Sequence, residues 1–144
     1  TLVENEASLT ISNRSEEKGE NLASEIGEKT STEVKHISQK RNILKKEIEK
    51  HDILIDSTSV GMHPDEDQTL VESDMMNEDL TVMDIVYNPK KTKLLKEAEK
   101  AGAKTISGLE MLVYQGAASF EIWTGKSAPI ETMMEEAERS LEEK

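Results

Sequence analysis

Asn13-Arg14-Ser15 follows a short run rich in β-branched residues, Leu9-Thr10-Ile11-Ser12, and precedes a segment with helical apolar spacing. Ligands of parallel α/β sheets bind beyond the carboxyl ends of the strands, so this turn is a place where chemistry could happen. In dinucleotide-binding folds the residue ending the second strand meets the adenosine ribose, and an arginine there favours a 2′-phosphate. Arg14 offers a planar fork of donors and can stack on adenine. Ser15 is a good helix N-cap, and the amides behind it add a positive dipole end. Lys18, one turn on, adds a second cation. Asn13, Arg14, Ser15 and Lys18 together suit a phosphomonoester dianion. Glu16 and Glu17 would oppose one if they pointed inward, and a capped helix with an exposed arginine is the plainer alternative.

Three further strand exits are polar or carry glycine: Thr58-Ser59, Tyr87-Asn88 and Gly108. The Thr58 and Ser59 hydroxyls could meet ribose or pyrophosphate oxygens, and equally could serve ordinary turn chemistry. Tyr87 and Gln115 are neutral hydrogen-bonding groups able to read a polyhydroxylated or carboxylated substrate. Their plain alternatives are a core ring with its hydroxyl at the surface and a solvated helix position. His36, His51 and His63 are isolated, with no second ligand at metal spacing, so no metal site is expected. Asp65-Glu66-Asp67 lacks the glycine and distal glutamate of a calcium loop and reads as a solvated acidic stretch.

The elements that must position these residues can be read from periodicity. Strands are expected at Leu9–Ser12, Val34–Ile37, Ile53–Ile55, Leu80–Val86 and Lys104–Ile106. Ile53-Leu54-Ile55, a continuous apolar run, reads as a strand buried on both faces. Helices are expected from Ser15 to about Ile26 with Gly27 as the stop, over Asn42–Lys50, and over Thr92–Ala101 with Gly102 as the cap. Leu109, Leu112, Val113, Ala117, Phe120 and Trp123 form one apolar stripe of the next helix, which Gly125 ends. A last helix starts near Ser127-Ala128-Pro129 and buries Ile130, Met133, Met134, Ala137 and Leu141. Alternating strands and helices of these lengths give an α/β fold, a doubly wound and mostly parallel sheet with flanking helices.

Composition narrows the function. The chain has 144 residues, enough for one domain with a sizeable core. Its 18 basic and 30 acidic residues leave a formal charge of -12, which repels phosphate backbones and makes nucleic acid an unsuited partner. The absence of cysteine excludes a disulfide scaffold, a thiolate zinc site and a cysteine nucleophile. No apolar run approaches the roughly 20 residues of a membrane helix, so no membrane association and a cytoplasmic location are expected. Thr1 to Ala7 reads as the last turn of a helix, as though the chain began mid-fold.

Five stretches in order resemble the NADP-binding domain of the shikimate dehydrogenases. They are Ile11–Lys18, Asp52–Pro64, Met83–Pro89, Gly108–Gly116, and Phe120–Gly125 with Ala128-Pro129-Ile130. The resemblance implies a Rossmann-like domain and an NADP-dependent oxidoreductase. Its reaction would be reversible hydride transfer between NADPH and 3-dehydroshikimate, giving shikimate, in the chorismate pathway of aromatic amino-acid biosynthesis. By position, Asn13, Arg14, Ser15 and Lys18 match the clamp on the 2′-phosphate, and Thr58 and Ser59 match residues lining the cofactor groove. Ile85, Gly108 and Met111 match positions near the nicotinamide, and Tyr87 and Gln115 match substrate contacts.

The resemblance also implies that the family's glycine-rich loop and its substrate domain, with a catalytic lysine and aspartate, lie before Thr1. Residues 1–126 are then expected to be an NADP-binding domain truncated at its N-terminal strand. Residues 127–144 are expected to be a helix packing back toward the catalytic domain. Such a fragment would lack catalytic residues, be inactive alone, and be poorly stable or self-associate, a homodimer being one assembly open to it. Two positions depart from the family pattern: Asp56 where Asn is usual and Glu110 where Gly is usual. Two alternatives stand beside the dehydrogenase: a non-catalytic binding or partner module of the same fold, and a quinate/shikimate dehydrogenase.

Overall fold

The computed structural model describes residues 2–142. Thr1, Glu143 and Lys144, at the ends of the expected opening turn and last helix, lie outside the described residues. The chain forms two compact units, Thr1–Ile48 and Glu49–Lys144.

The first unit pairs β1 (Thr10–Ser12) in parallel with β2 (Lys35–Ile37), with Ile11 opposite His36. A single turn of 3₁₀ helix at Val3–Asn5 precedes them and buries Val3. The crossover is α1 (Glu16–Thr30), and α2 (Arg41–Ile48) follows β2. Ala23 on α1 and Leu44 and Ile48 on α2 supply the buried apolar positions. The expected stop at Gly27 is not used. The helix runs on to Thr30, whose Oγ1 donates to the Ile26 carbonyl, and Lys29 pairs with Glu25 one turn back. Ser31 then ends it in the left-handed region at φ 54°. A glycine inside a helix costs only about 1 kcal/mol, which three residues of continued backbone bonding offset.

The second unit holds a three-stranded parallel sheet in the order β3 (Ile53–Asp56), β4 (Thr81–Asp84), β5 (Lys104–Ile106). Its register sets Leu54 opposite Val82 and Asp56 opposite Asp84. The core gathers around central β4, where Leu80, Val82 and Val86 are buried with Leu94, Leu95 and Ala98 of α3 (Lys93–Lys100). Residues 65–79, expected to be irregular, still contribute Val71 and Met75 to that core. Glu97 of α3 pins the segment, accepting a hydrogen bond from the Ser73 amide at 3.3 Å and pairing with Lys100 at 2.7 Å. Lys100, foremost, together with the Ser73 and Lys93 bonds, holds the Glu97 carboxyl down to about 2.

Two expectations about burial are corrected. Ile53 and Ile55 are 55% and 42% exposed while Leu54 is half-buried, because the sheet face that Ile53 and Ile55 share is uncovered at β3. Trp123, expected on the buried stripe of α4 (Gly108–Thr124), is 82% exposed. The stripe that is buried is Leu109, Val113 and Ala117, spaced four apart, with Leu112 and Phe120 half-buried. At about 100° per residue position 123 still lies within the arc from Leu112 to Ala117, but it falls in the last turn of α4, where residues 121–124 are all exposed. The last helix, α5 (Ile130–Glu142), packs against α4. Met133, Met134, Ala137 and Leu141 are half-buried and Ile130 is exposed, so the expected full burial does not occur. Among the described residues no helix is long and apolar enough to cross a membrane. The α/β class is as the spacing predicts: every strand pair among the described residues is parallel, and α-helices connect β1 to β2, β2 to β3 and β4 to β5.

Candidate nucleotide and substrate residues

In the first unit, β1 ends at Ser12 and the chain turns at once into α1. Asn13 stabilises the turn by donating from Nδ2 to the Ser15 carbonyl at 2.9 Å. Ser15 is the N-cap, extended at φ −90° and ψ 110°, and its Oγ accepts from the Lys18 amide at 3.5 Å. Gly19, buried in the next turn, lies close over β2: a Cβ there would stand 2.3 Å from His36 Nε2 and 3.1 Å from Asn13 Cβ. The helix start is therefore pressed onto the carboxyl end of the strand pair. Arg14 and Lys18 are exposed, and among the described residues neither side chain is engaged in an ion pair. Two unneutralised cations beside the first amides of a four-turn helix have the chemistry to hold a phosphate dianion. Glu16 and Glu17 occupy the first turn as exposed side chains.

In the second unit, β3 and β4 leave the sheet by the same device at facing positions. Asp56 Oδ1 accepts from the Thr58 amide at 2.8 Å, and Asp84 Oδ1 accepts from the Val86 amide at 2.9 Å. Both are Asx turns, in which an aspartate replaces a backbone acceptor two residues on. The Thr58 hydroxyl oxygen accepts from the Val60 amide at 3.1 Å, so turn chemistry does occupy one of its lone pairs; Ser59 is exposed. Ile85 donates its amide to the Asp56 carbonyl at 3.1 Å, tying the two exits together.

Gly108 begins α4 behind its N-cap Ser107, and its approach to the β4 exit is close. A Cβ on Gly108 would lie 2.3 Å from the Ile85 carbonyl oxygen and 2.7 Å from that of Val86. Met111 and Gln115 follow Gly108 at i+3 and i+7, which places the three along one stripe of α4. Met111 and Gln115 are exposed, on a different side from the buried Leu109-Val113-Ala117 stripe. Tyr87, 44% exposed, is a surface ring and not part of the core. The structure thus sets Ile85, Gly108 and the start of α4 against one another, while Thr58, Ser59 and Tyr87 stand on neighbouring exits.

Two residues of this region escaped the sequence reading. Asp84 is fully buried and accepts a 2.6 Å hydrogen bond at Oδ2 from the hydroxyl of Thr92, itself fully buried. Burial pushes the Asp84 carboxyl up; the Thr92 and Val86 bonds act against that, and the charge of Asp56 adds to it. The available signal was a carboxylate inside the apolar run Leu80–Val86, with a hydroxyl residue eight positions on at the next helix start. His63 was read as isolated, but its Nδ1 lies 2.9 Å from Glu66 Oε1 at the surface. Among the described residues no group of three His, Cys, Asp or Glu could hold a metal ion.

Comparison with known proteins finds similarity in sequence and in fold. Residues 108–138 match the family model of the shikimate 5′-dehydrogenase C-terminal domain. The chain is 49% identical over 128 residues to the shikimate dehydrogenase (NADP(+)) of Methanopyrus kandleri, covering 88% of this chain and 44% of that one. A crystal structure of a shikimate dehydrogenase in complex with NADP+ superposes with a TM-score of 0.85 at 43% identity, over 93% of this chain and 47% of that one. The enzyme of Listeria monocytogenes, in complex with shikimate and NAD, gives 0.81 at 38% identity, over 89% and 46%. The chain spans about half the length of the curated relatives it matches. Sequence along nearly the whole chain, fold and family model agree: this chain is similar throughout to about half of the length of the shikimate dehydrogenases.

Proposed function

We propose that this chain is the NADP-binding part of a shikimate dehydrogenase, which interconverts 3-dehydroshikimate and shikimate in the route to chorismate and the aromatic amino acids. The observation that carries the reading is the turn Asn13-Arg14-Ser15 at the start of α1, with the two cations Arg14 and Lys18 left unpaired beside the helix amides. Arg14 holds the 2′-phosphate of the adenosine ribose by bidentate hydrogen bonds, Lys18 adds charge, and Ser15 with the first amides of α1 supplies neutral donors. Asn13 keeps the turn in shape. Thr58 and Ser59 line the cofactor groove. Ile85, Gly108 and Met111 border the nicotinamide, and the absence of a side chain at Gly108 lets α4 start directly against the β4 exit. Tyr87 and Gln115 hydrogen-bond the hydroxyl or carboxylate groups of the substrate. The cofactor, when bound, supplies or accepts the hydride. The chain's own residues bind and orient it.

The net charge of -12 supports a small-molecule partner over nucleic acid. The exposed Ile53, Ile55 and Trp123 support association with further protein surface, a homodimer included. Residues 1–126 form the cofactor-binding part in this reading and 127–144 the helix that reaches toward the catalytic part.

The test is a fluorescence titration of the chain with NADPH and, separately, NADH. NADPH binds more tightly, and Arg14→Ala removes that preference. Loss of a charge-assisted contact worth about 1.5–3 kcal/mol weakens NADPH binding about 10- to 100-fold and leaves NADH nearly unchanged. Equal binding of both nucleotides, or an Arg14→Ala effect of the same size on each, overturns the assignment of the clamp.

A further inference from the structure

The loop after β4 carries Ile85 and Tyr87, two of the residues assigned above, and it is closed at both ends by one carboxylate. Asp84 Oδ1 takes the Val86 amide at 2.9 Å, and Asp84 Oδ2 takes the Thr92 hydroxyl at 2.6 Å. The same Thr92 oxygen caps α3, accepting from the Leu95 amide at 3.4 Å. One pair of side chains thereby sets where β4 ends and where α3 begins. Both are fully buried, where hydrogen bonds are strong and an unmade one is costly. Weaker ties span the rest of the loop. The His63 amide donates to the Asn88 carbonyl at 3.2 Å, and the Ser107 hydroxyl donates to the Lys90 carbonyl at 3.4 Å. These two are nearer the surface and longer, so they cannot replace the buried pair.

We propose that Asp84 and Thr92 are positioning residues, a buried latch that fixes the Ile85 carbonyl against Gly108 and stands Tyr87 at the nicotinamide–substrate end of the site. Their part in cofactor placement rests on the dehydrogenase reading. The latch itself rests on the geometry alone. Ile85 lies between the strand and the first latch bond, and its carbonyl is the atom a Cβ on Gly108 would strike. Val86, whose amide makes that bond, immediately precedes Tyr87. A slip of the loop moves the Ile85 carbonyl and the Tyr87 ring together. The latch is therefore expected to govern the placement of the nicotinamide.

The experiment compares Thr92→Val, which keeps shape and removes the hydroxyl, with Thr92→Ser, which restores it. Asp84→Asn, isosteric and uncharged, serves if Thr92→Val fails to fold. Each variant of the 144-residue chain is held well below its melting temperature. Backbone amide resonances and hydrogen exchange of residues 85–88 are recorded without ligand. NADPH is then titrated, with affinity and the emission of the bound nicotinamide read separately. The expected result is shifted resonances and lost protection at Val86 and Tyr87 in Thr92→Val, loss of the nicotinamide emission gain at nearly unchanged affinity, and recovery of both in Thr92→Ser. A role in stability alone lowers the melting temperature of Thr92→Val without moving the emission or the Tyr87 resonance, and that overturns the proposal. If the unsubstituted chain binds no NADPH, the dehydrogenase reading fails separately. The amide data then decide the latch: unmoved resonances at 85–88 refute it, and shifted ones that Thr92→Ser restores uphold it as a device of the loop.

Discussion

Gly108→Ala tests a close approach of a helix start to the backbone of a neighbouring strand exit. The substitution adds one carbon at the start of α4, 2.3 Å from the Ile85 carbonyl oxygen, 2.5 Å from its carbon and 2.7 Å from the Val86 oxygen. All three are backbone atoms, so no side chain can swing away. Two effects compete. Alanine restricts the unfolded chain and suits a helix better, which stabilises by about 0.4–1 kcal/mol. Overpacking a close contact costs about 1–3 kcal/mol, and a clash with backbone belongs at the upper end of that range. The start of α4 has little freedom to retreat, because Ser107 caps it through the Leu109 amide at 3.2 Å. A net loss of about 2 kcal/mol follows from these two ranges. An unfolding entropy of about 2.1 cal/mol/K per residue makes that roughly a 7 °C fall in Tm if the chain melts cooperatively. The assay is thermal unfolding followed by circular dichroism, with urea unfolding as a check that the slope m is unchanged. NADPH affinity should fall in the same variant, since the Ile85 exit must move to admit the methyl group. A Gly108→Ala chain as stable as the parent, or more so, would show that α4 and the β4 exit are not in enforced contact, and the argument would fail.

Other substitutions probe separate parts. Gly19→Ala places a Cβ 2.3 Å from His36 Nε2, so it should lower stability by about 1–2 kcal/mol and weaken NADPH binding by disturbing Asn13 and Lys18; melting and titration of the one variant read both. Glu97, held at about 2, contributes stability that is complete above its unfolded value of 4.5 and is lost as pH falls from 4.5 toward 2. Urea unfolding of Glu97→Gln across that window should show a flatter loss than the parent. Asp84 has the opposite sign: its folded value is raised above 3.8, so its contribution is present below 3.8 and is lost as pH rises through the folded value. Asp84→Asn should therefore gain on the parent as pH climbs above 4, whereas Asp84→Ala, leaving the Thr92 hydroxyl and Val86 amide unpaired, should lose about 1–3 kcal/mol at neutral pH.

Much of the fold could be read in the residues because local signals and tertiary demands coincide. Ser15, Thr92 and Ser107 each stand before a helical stripe, and each accepts an amide bond as an N-cap. The disagreements arise where a local signal meets a demand from elsewhere. Gly27 is a legitimate stop by its conformational freedom, but backbone bonding to Thr30 continues past it. Ile53-Leu54-Ile55 has the composition of a central strand, and composition carries no record of which neighbours are at hand; β3 has one. Trp123 fits the stripe by type and by angle, but lies in the last turn of α4, where no residue from 121 to 124 is covered. The turn at Asn13-Arg14-Ser15 was legible because its chemistry is local. Asp84 was not, because its partner Thr92 lies across a loop and its role depends on burial that sequence spacing does not convey.

The three helix caps differ in how much variation they can accept. Ser15 and Ser107 each cap a helix at a part-exposed position, where water can replace the bond that Ser107 also gives the Lys90 carbonyl, so Thr, Asp or Asn could take their places with little change. Thr92 has no such latitude. Its one oxygen must receive the Leu95 amide while giving its proton to Asp84. Aspartate, an excellent cap elsewhere, would set a second carboxylate against a buried first one with no proton between them. Asparagine could donate to Asp84 only by turning its amide away from α3. Of the usual capping residues, serine alone can do both tasks, and the permitted alphabet at position 92 shrinks to two letters where its counterparts keep four or five.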